Sequence, residues 1–252
     1  MISGNLIRKP LEWRGLGKWS FKNLIELKRA ENIVIEDNVL ENSWLGQQNG
    51  EAFVFTVRGE GNRNVAANPW AAVRNVVVRR NRITGVGAGV NILGRDNNRQ
   101  FTGIAERIEF VNNLFVIDPR RGNGFGFQLL TGARDVTIRN NTLIFDPAGP
   151  RMHALSLDSP PKGSPSRPDW KAQFPIERLV VEKNILMGDL FGRGLVAGQP
   201  PLDKFAPGAL VRDNLALTGG IPHSRRVTLD EVLNPDYTVK PAYAGYGAHL
   251  AR

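Results

Sequence analysis

The sequence predicts an all-β fold, a right-handed parallel β-helix of about six to seven rungs with three short strands per rung. Three observations carry that expectation. The first is a phrase of alternating apolar residues ending in asparagine: IVIEDN (33–38), VVVRRN (76–81), IEFVNN (108–113), VTIRNN (136–141), LVVEKN (179–184) and ALVRDN (209–214). Asn5, in ISGNLI, ends a seventh copy. The second is spacing: the six asparagines stand 43, 32, 28, 43 and 30 residues apart. Fixed-period helical and leucine-rich repeats do not vary so much, whereas a coil of strands with corner loops of different length does. The third is the flanking pattern. A second strand follows the asparagine, as in VLEN (39–42), LFVID (114–118) and TLIFD (142–146). A third precedes the next copy, as in NLIELK (23–28), FVFTVR (53–58), GVNILG (89–94), FGFQLL (125–130) and HALSLD (153–158). Strands this short cannot bury an apolar side alone, so they must stack on copies of themselves.

The asparagines Asn38, Asn81, Asn113, Asn141, Asn184 and Asn214 are read as a structural ladder, not a catalytic set. Asparagine tolerates the left-handed conformation that a sharp bend between strands requires, and stacked amides can bond one another along the solenoid. The 27 glycines and 16 prolines suit many strands separated by tight turns. The expected organisation is a β-helix over residues 1–220 and a capping segment over 221–252, with further rungs and a signal peptide expected upstream of Met1. A solenoid must cover its open apolar ends, and the tail is suited to that task.

The net charge of +9 comes from 24 arginines and 9 lysines against 24 acids. Guanidinium groups match carboxylates and other oxyanions, which points to an acidic partner. The competing reading is solvated charge at the repeated turns, where Arg79, Arg80, Arg139 and Arg212 stand. No basic block is interleaved with aromatic residues, so nucleic acid is not the expected partner. No cysteine and only three scattered histidines argue against a zinc site. No cofactor is indicated, calcium included. No stretch is apolar enough to span a membrane.

Function is expected where the rungs differ. The return from the third strand to the next repeat phrase is short after Lys28 and Thr131 and long over 59–74 and 159–177, with an intermediate length over 94–106. Loops three rungs apart stand about 14 Å apart along the axis, the width of a cleft for a polysaccharide chain. If Phe53/Phe55, Val90/Ile92, Phe127/Leu129 and Leu155/Leu157 point inward, the floor carries Glu26, Lys28, Thr56, Arg58, Asn91, Gln128, Ser156 and Asp158. Arg95 and Asp96 adjoin it, and the loop residues Trp70 and Trp170 either stack on sugar rings or pin their loops to the wall. The charged floor residues also read as pairs that keep the sheet soluble.

The stretch KNLIELKRAENIVIEDNVLENSW, with QNGEAFVFTVRG, PWAAVRNVVVRRN and GAGVNILGRDNN, resembles the right-handed parallel β-helix repeat proteins of the pectin-lyase-like superfold, specifically large bacterial members of unassigned activity. The resemblance covers roughly residues 5–220. The end, VLNPDYTVKPAYAGYGAHL, is similar to the closing segment of secreted polysaccharide-active β-helices. The resemblance implies a secreted or cell-surface carbohydrate-associated module, a monomer or part of a larger chain, that binds an acidic polysaccharide. Its alternatives are a lyase or epimerase on uronic-acid glycans and a purely structural repeat domain. In the lyase, Arg58, Lys28 and Asp158 would neutralise the uronate, remove its C5 proton and protonate the leaving oxygen. Neither the arginine motif of pectate lyases nor the paired-aspartate signature of galacturonases is present. Asn49-Gly50-Glu51 matches only the start of an alginate-lyase motif.

Overall fold

In the computed structural model the described residues are 1–17, 21–59, 68, 70–96, 102–158 and 174–250. They form three parallel sheets wound around one core, a parallel β-helix. The first sheet holds the repeat phrases: Ile2–Ser3, Ala30–Glu36, Val73–Arg79, Ala105–Val111, Arg134–Arg139, Val180–Glu182 and Leu210–Arg212. The second holds the strands that follow the asparagines, from Leu6–Arg8 through Val39–Ser43, Arg82–Val86, Leu114–Ile117, Thr142–Phe145 and Ile185–Leu186 to Asn214–Ala216, and Ser224–Arg226 is added at its end. The third runs Ile25–Leu27, Glu51–Thr56, Ala88–Leu93, Phe125–Leu130, His153–Asp158, Asp189–Gly192.

Register is set by the repeat. Val76, Ile108 and Val136 are partners in successive rungs, as are Val78, Phe110 and Ile138, and all are fully buried. The core is filled by phenylalanines from all three sheets. Phe110 packs on Phe127 at 5.5 Å between ring centres, and Phe115 on Phe127 at 5.2 Å.

The asparagines form the expected ladder, seven rungs long. The Oδ1 of Asn113 accepts from both the backbone N–H (3.0 Å) and the side-chain amide (2.9 Å) of Asn81, and that amide also donates to the Ile35 carbonyl at 2.9 Å. The same contacts link Asn5 to Asn38, Asn38 to Asn81, Asn113 to Asn141, Asn141 to Asn184, and Asn184 to Asn214. One expectation needs correcting. The left-handed residue is the one before each asparagine: Asp37, Arg80, Asn112, Asn140, Lys183 and Asp213, with φ between 51° and 59°. The bend is made at that exposed or half-exposed position, which frees the asparagine to turn its amide into the wall. A second left-handed row (Asn32, Asn75, Arg107, Asp135, Arg178) lies within or just before the repeat-phrase strands.

Several arginines pair across rungs on the outer face of the first sheet. Glu31, Arg74, Glu106 and Arg134 are register neighbours, and Glu177 bridges to Arg134. Their side chains pair at 2.5 Å for Arg74–Glu31, 3.8 Å for Arg134–Glu106 and 3.0 Å for Arg134–Glu177. Arg79 and Arg80 bind Glu36, and Arg212 binds Glu182.

The C-terminal end of the core is covered by the helix Gln199–Phe205, whose Leu202 and Phe205 are buried in it. The tail does something further. Val227, Val232 and Leu233 pack on Ile144, Ile185 and Leu215 of the second sheet. It then runs back along the wall, where Gly247 N donates to the Lys183 carbonyl, Ala248 N to Thr142, and His249 N to Asn112.

Asn184→Ala strips the buried backbone N–H of Asn141 of its acceptor and leaves the Ile138 carbonyl without the Asn184 amide donor. Each orphaned group costs about 1–3 kcal/mol. Equilibrium urea unfolding is expected to show a loss of about 3 kcal/mol or more for Asn184→Ala, whereas Lys183→Gly, at a left-handed and exposed position, stays within about 1 kcal/mol of the parent.

Candidate functional site

The third sheet presents its outer face in rows that cross the rungs. Phe53, Val90, Phe127 and Leu155 are register partners pointing into the core, as are Phe55, Ile92, Leu129 and Leu157. Between them, outward, lies the row Glu26, Val54, Asn91, Gln128, Ser156, Phe191. Strict alternation fails at the start of these strands. Ala52 and Ala154 are buried in the core beside Phe53 and Leu155, so two successive residues face inward. A Cβ on Gly126 would lie 2.3 Å from Leu143, also in the core. This irregularity turns the preceding residues, Glu51, Ala88, Phe125 and His153, away from the position that alternation assigns them.

His153 is thereby brought against Asp189, its register partner on the next rung, with Nδ1 2.6 Å from Oδ1. Its ring packs on Phe191 at 4.5 Å and on Phe125 at 5.5 Å between ring centres, and the two phenylalanines stack at 6.5 Å. All four side chains are half-buried. Beside them Asn91 Nδ2 donates to Gln128 Oε1 at 2.6 Å, which fixes the Gln128 amide with its NH2 turned away from Asn91. Two apolar rings, an oriented amide and a carboxylate-held imidazole thus share one stretch of sheet. Neither His153 nor Asp189 was among the residues singled out from the sequence. Their signal is faint: His153 aligns with Phe125 when HALSLD is set under FGFQLL, and Asp189 opens a strand of four residues, DLFG.

The residues expected from the sequence fall in several places. Lys28, Arg58 and Asp158 do not converge. Lys28 follows the first strand of the third sheet and Asp158 ends the fifth, four spacings or about 19 Å apart. Each is engaged locally: Lys28 lies 4.0 Å from Glu26, Arg58 is 3.1 Å from Asp96, and Asp158 is 3.2 Å from Arg193. Asp96 is a correction. It is 2 % exposed and accepts from Arg58 and from the Gly59 backbone at 2.8 Å, so it fastens the corner between the third and first sheets rather than meeting a ligand. Ser156 is another: a small side chain flanked in register by Gln128 and Phe191, it is 1 % exposed. Thr56 is buried too. Glu26, Asn91 and Gln128 remain half-exposed, and the Arg95 guanidinium lies over Phe174 at 4.6 Å. Trp70 is 73 % exposed and is not packed into the wall; Trp170 lies outside the described residues, as do most of the long corner loops that would wall the cleft.

Asn49-Gly50-Glu51 has a structural role. The Glu51 carboxylate is buried and accepts from Asn49 N and Nδ2, both at 2.9 Å, and Gly50 has φ +81° with Trp44 backbone 3.1 Å from where a Cβ would sit. Near Glu51 lies Lys9, whose Nζ donates to the Lys22 carbonyl at 2.5 Å. Burial pushes the Lys9 amine down to about 8, against the attraction of Glu51. Among the described residues no group of three or more His, Cys, Asp or Glu is placed to hold a metal ion, and no helix is long and apolar enough to cross a membrane.

The depressed Lys9 value has a signed consequence. Between pH 8 and its ordinary value of 10.5 the unfolded chain holds the proton that the folded chain has lost, so this group makes stability rise with pH across that window. Urea unfolding at pH 8 and pH 10 is expected to show a smaller upward change for Lys9→Met than for the parent. An identical change in both proteins contradicts the assignment.

The comparisons with known proteins name no relative: no protein-family model, no curated protein and no solved structure matches the chain.

Proposed function

We propose that the outer face of the third sheet binds a polysaccharide laid along the solenoid axis. The observation that carries this reading is the Phe125–His153–Phe191 stack beside the Asn91–Gln128 amide pair. Sugar rings present apolar C–H faces and hydroxyl edges, and half-exposed aromatic rings next to oriented amides meet both needs. Rungs about 4.8 Å apart repeat on the scale of one sugar unit, so a polymer can meet similar contacts on successive rungs.

The acidic class of glycan follows from the net charge of +9. It acts through the field of the whole molecule, because the charges along the floor (Lys28–Glu26, Arg58–Asp96, Arg193–Asp158) are already paired. The preference for an acidic chain should therefore fade with salt, while stacking persists. An extracellular setting, where such polymers are met, goes with this reading, and the resemblance to secreted pectin-lyase-like β-helices supports it.

Isothermal titration with pectate, alginate and neutral xylan tests the proposal. Phe191→Ala is expected to weaken binding about five- to tenfold, the loss of one stacking platform of roughly 1–1.5 kcal/mol. Raising salt should reduce pectate and alginate affinity toward that of xylan. Absence of binding to all three polymers, or binding that Phe191→Ala leaves unchanged, contradicts it.

A further inference from the structure

We infer that this face is also an active site, in which His153 is the general base for hydrolysis of an ester carried by the glycan. The inference rests on the glycan reading above and adds chemistry to it. Its basis is the His153–Asp189 contact of 2.6 Å, made across two rungs and flanked by Phe125 and Phe191. A carboxylate that accepts from Nδ1 fixes the tautomer and orientation of an imidazole and leaves Nε2 with its lone pair. The wall itself does not require an imidazole here, since the equivalent position on the preceding rung is filled by Phe125.

The neighbours select the reaction. Glycosidic cleavage uses two carboxyl groups flanking the bond. Here Asp189 is committed to His153, Asp158 to Arg193 and Asp96 to Arg58, so the acids of this face are engaged. Elimination at a uronate requires a cation on the sugar carboxylate, and Arg193, just past the strand that carries Asp189, is paired with Asp158. Attack of water on a neutral carbonyl requires neither. His153 Nε2 takes a proton from water as its oxygen bonds to the ester carbon. The tetrahedral adduct then collapses, the carbon–oxygen bond to the alcohol breaks, and the departing alkoxide takes the proton back from the imidazolium. Water and ester are consumed, and acid and alcohol are formed. Asp189 is a positioning residue that acts through His153.

O-acetyl esters on a sugar hydroxyl and methyl esters of a uronate share this chemistry, and two substrates separate them: acetylated xylan, followed by acetate release, and methyl-esterified pectin, followed by methanol release. Turnover of one names the ester. His153→Ala is expected to lower kcat/KM at least about 100-fold with polymer binding retained. Asp189→Asn should lower kcat about tenfold or more with KM and polymer binding unchanged, because the imidazole loses the carboxylate that orients it; a merely structural role would leave kcat in place. Circular dichroism of each variant confirms that it is folded. Binding without release from either polymer, or release that survives His153→Ala, overturns the inference and leaves the glycan reading standing. Neither binding nor release overturns both.

Discussion

The constraint on which the structure depends is the satisfaction of backbone groups at one corner of every rung. Where the first sheet turns into the second, ladder hydrogen bonds stop and carbonyls such as Ile35 and Ile138 face the interior. An unpaired group there is costly. The asparagine side chain answers with one acceptor and two donors, and joins each rung to the next. Because every contact is made by the same atom pair, loops between rungs can grow or shrink without disturbing the wall. That tolerance is what permits spacings as different as 28 and 43 residues within one solenoid.

With the wall secured by one corner, the third sheet is free to vary. Its inward rows are apolar throughout, and its outward rows change character from rung to rung: a charged end near Glu26 and Lys28, an amide centre at Asn91 and Gln128, an aromatic end at Phe125 and Phe191. The proposed site occupies the aromatic end. The irregular start of these strands supplies it, since two inward-facing residues in succession rotate His153 to where Asp189 can reach it.

Much of this was legible in the chain, for stated reasons. Alternating valine and isoleucine gave the strands, and asparagine at a fixed phase gave the ladder, because both patterns are local. The left-handed position was displaced by one residue. Asparagine is the usual occupant of that conformation, yet here its amide is required in the wall, and Lys183 and Arg80 take the strain. The His153–Asp189 pair was hidden for two reasons. Its members lie 36 residues apart, and strict alternation puts His153 on the same side as Leu155 and Leu157. Periodicity of two cannot announce its own interruption. Asp96 and Ser156 looked accessible from phase alone, and only packing shows that one is tied to Arg58 and Gly59 and the other lies between larger neighbours.

The row Glu31, Arg74, Glu106, Arg134, Glu177 alternates in sign from one rung to the next. Delete a single inner rung and two like charges become neighbours; delete two adjacent inner rungs, and the alternation heals. The solenoid thus carries a parity. Gene rearrangements that shorten or lengthen it by an even number of turns meet little electrostatic resistance along this row, while odd changes place arginine on arginine or glutamate on glutamate. A row of exposed ion pairs, each of small worth to stability, in this way constrains the lengths to which the array can be cut and rejoined.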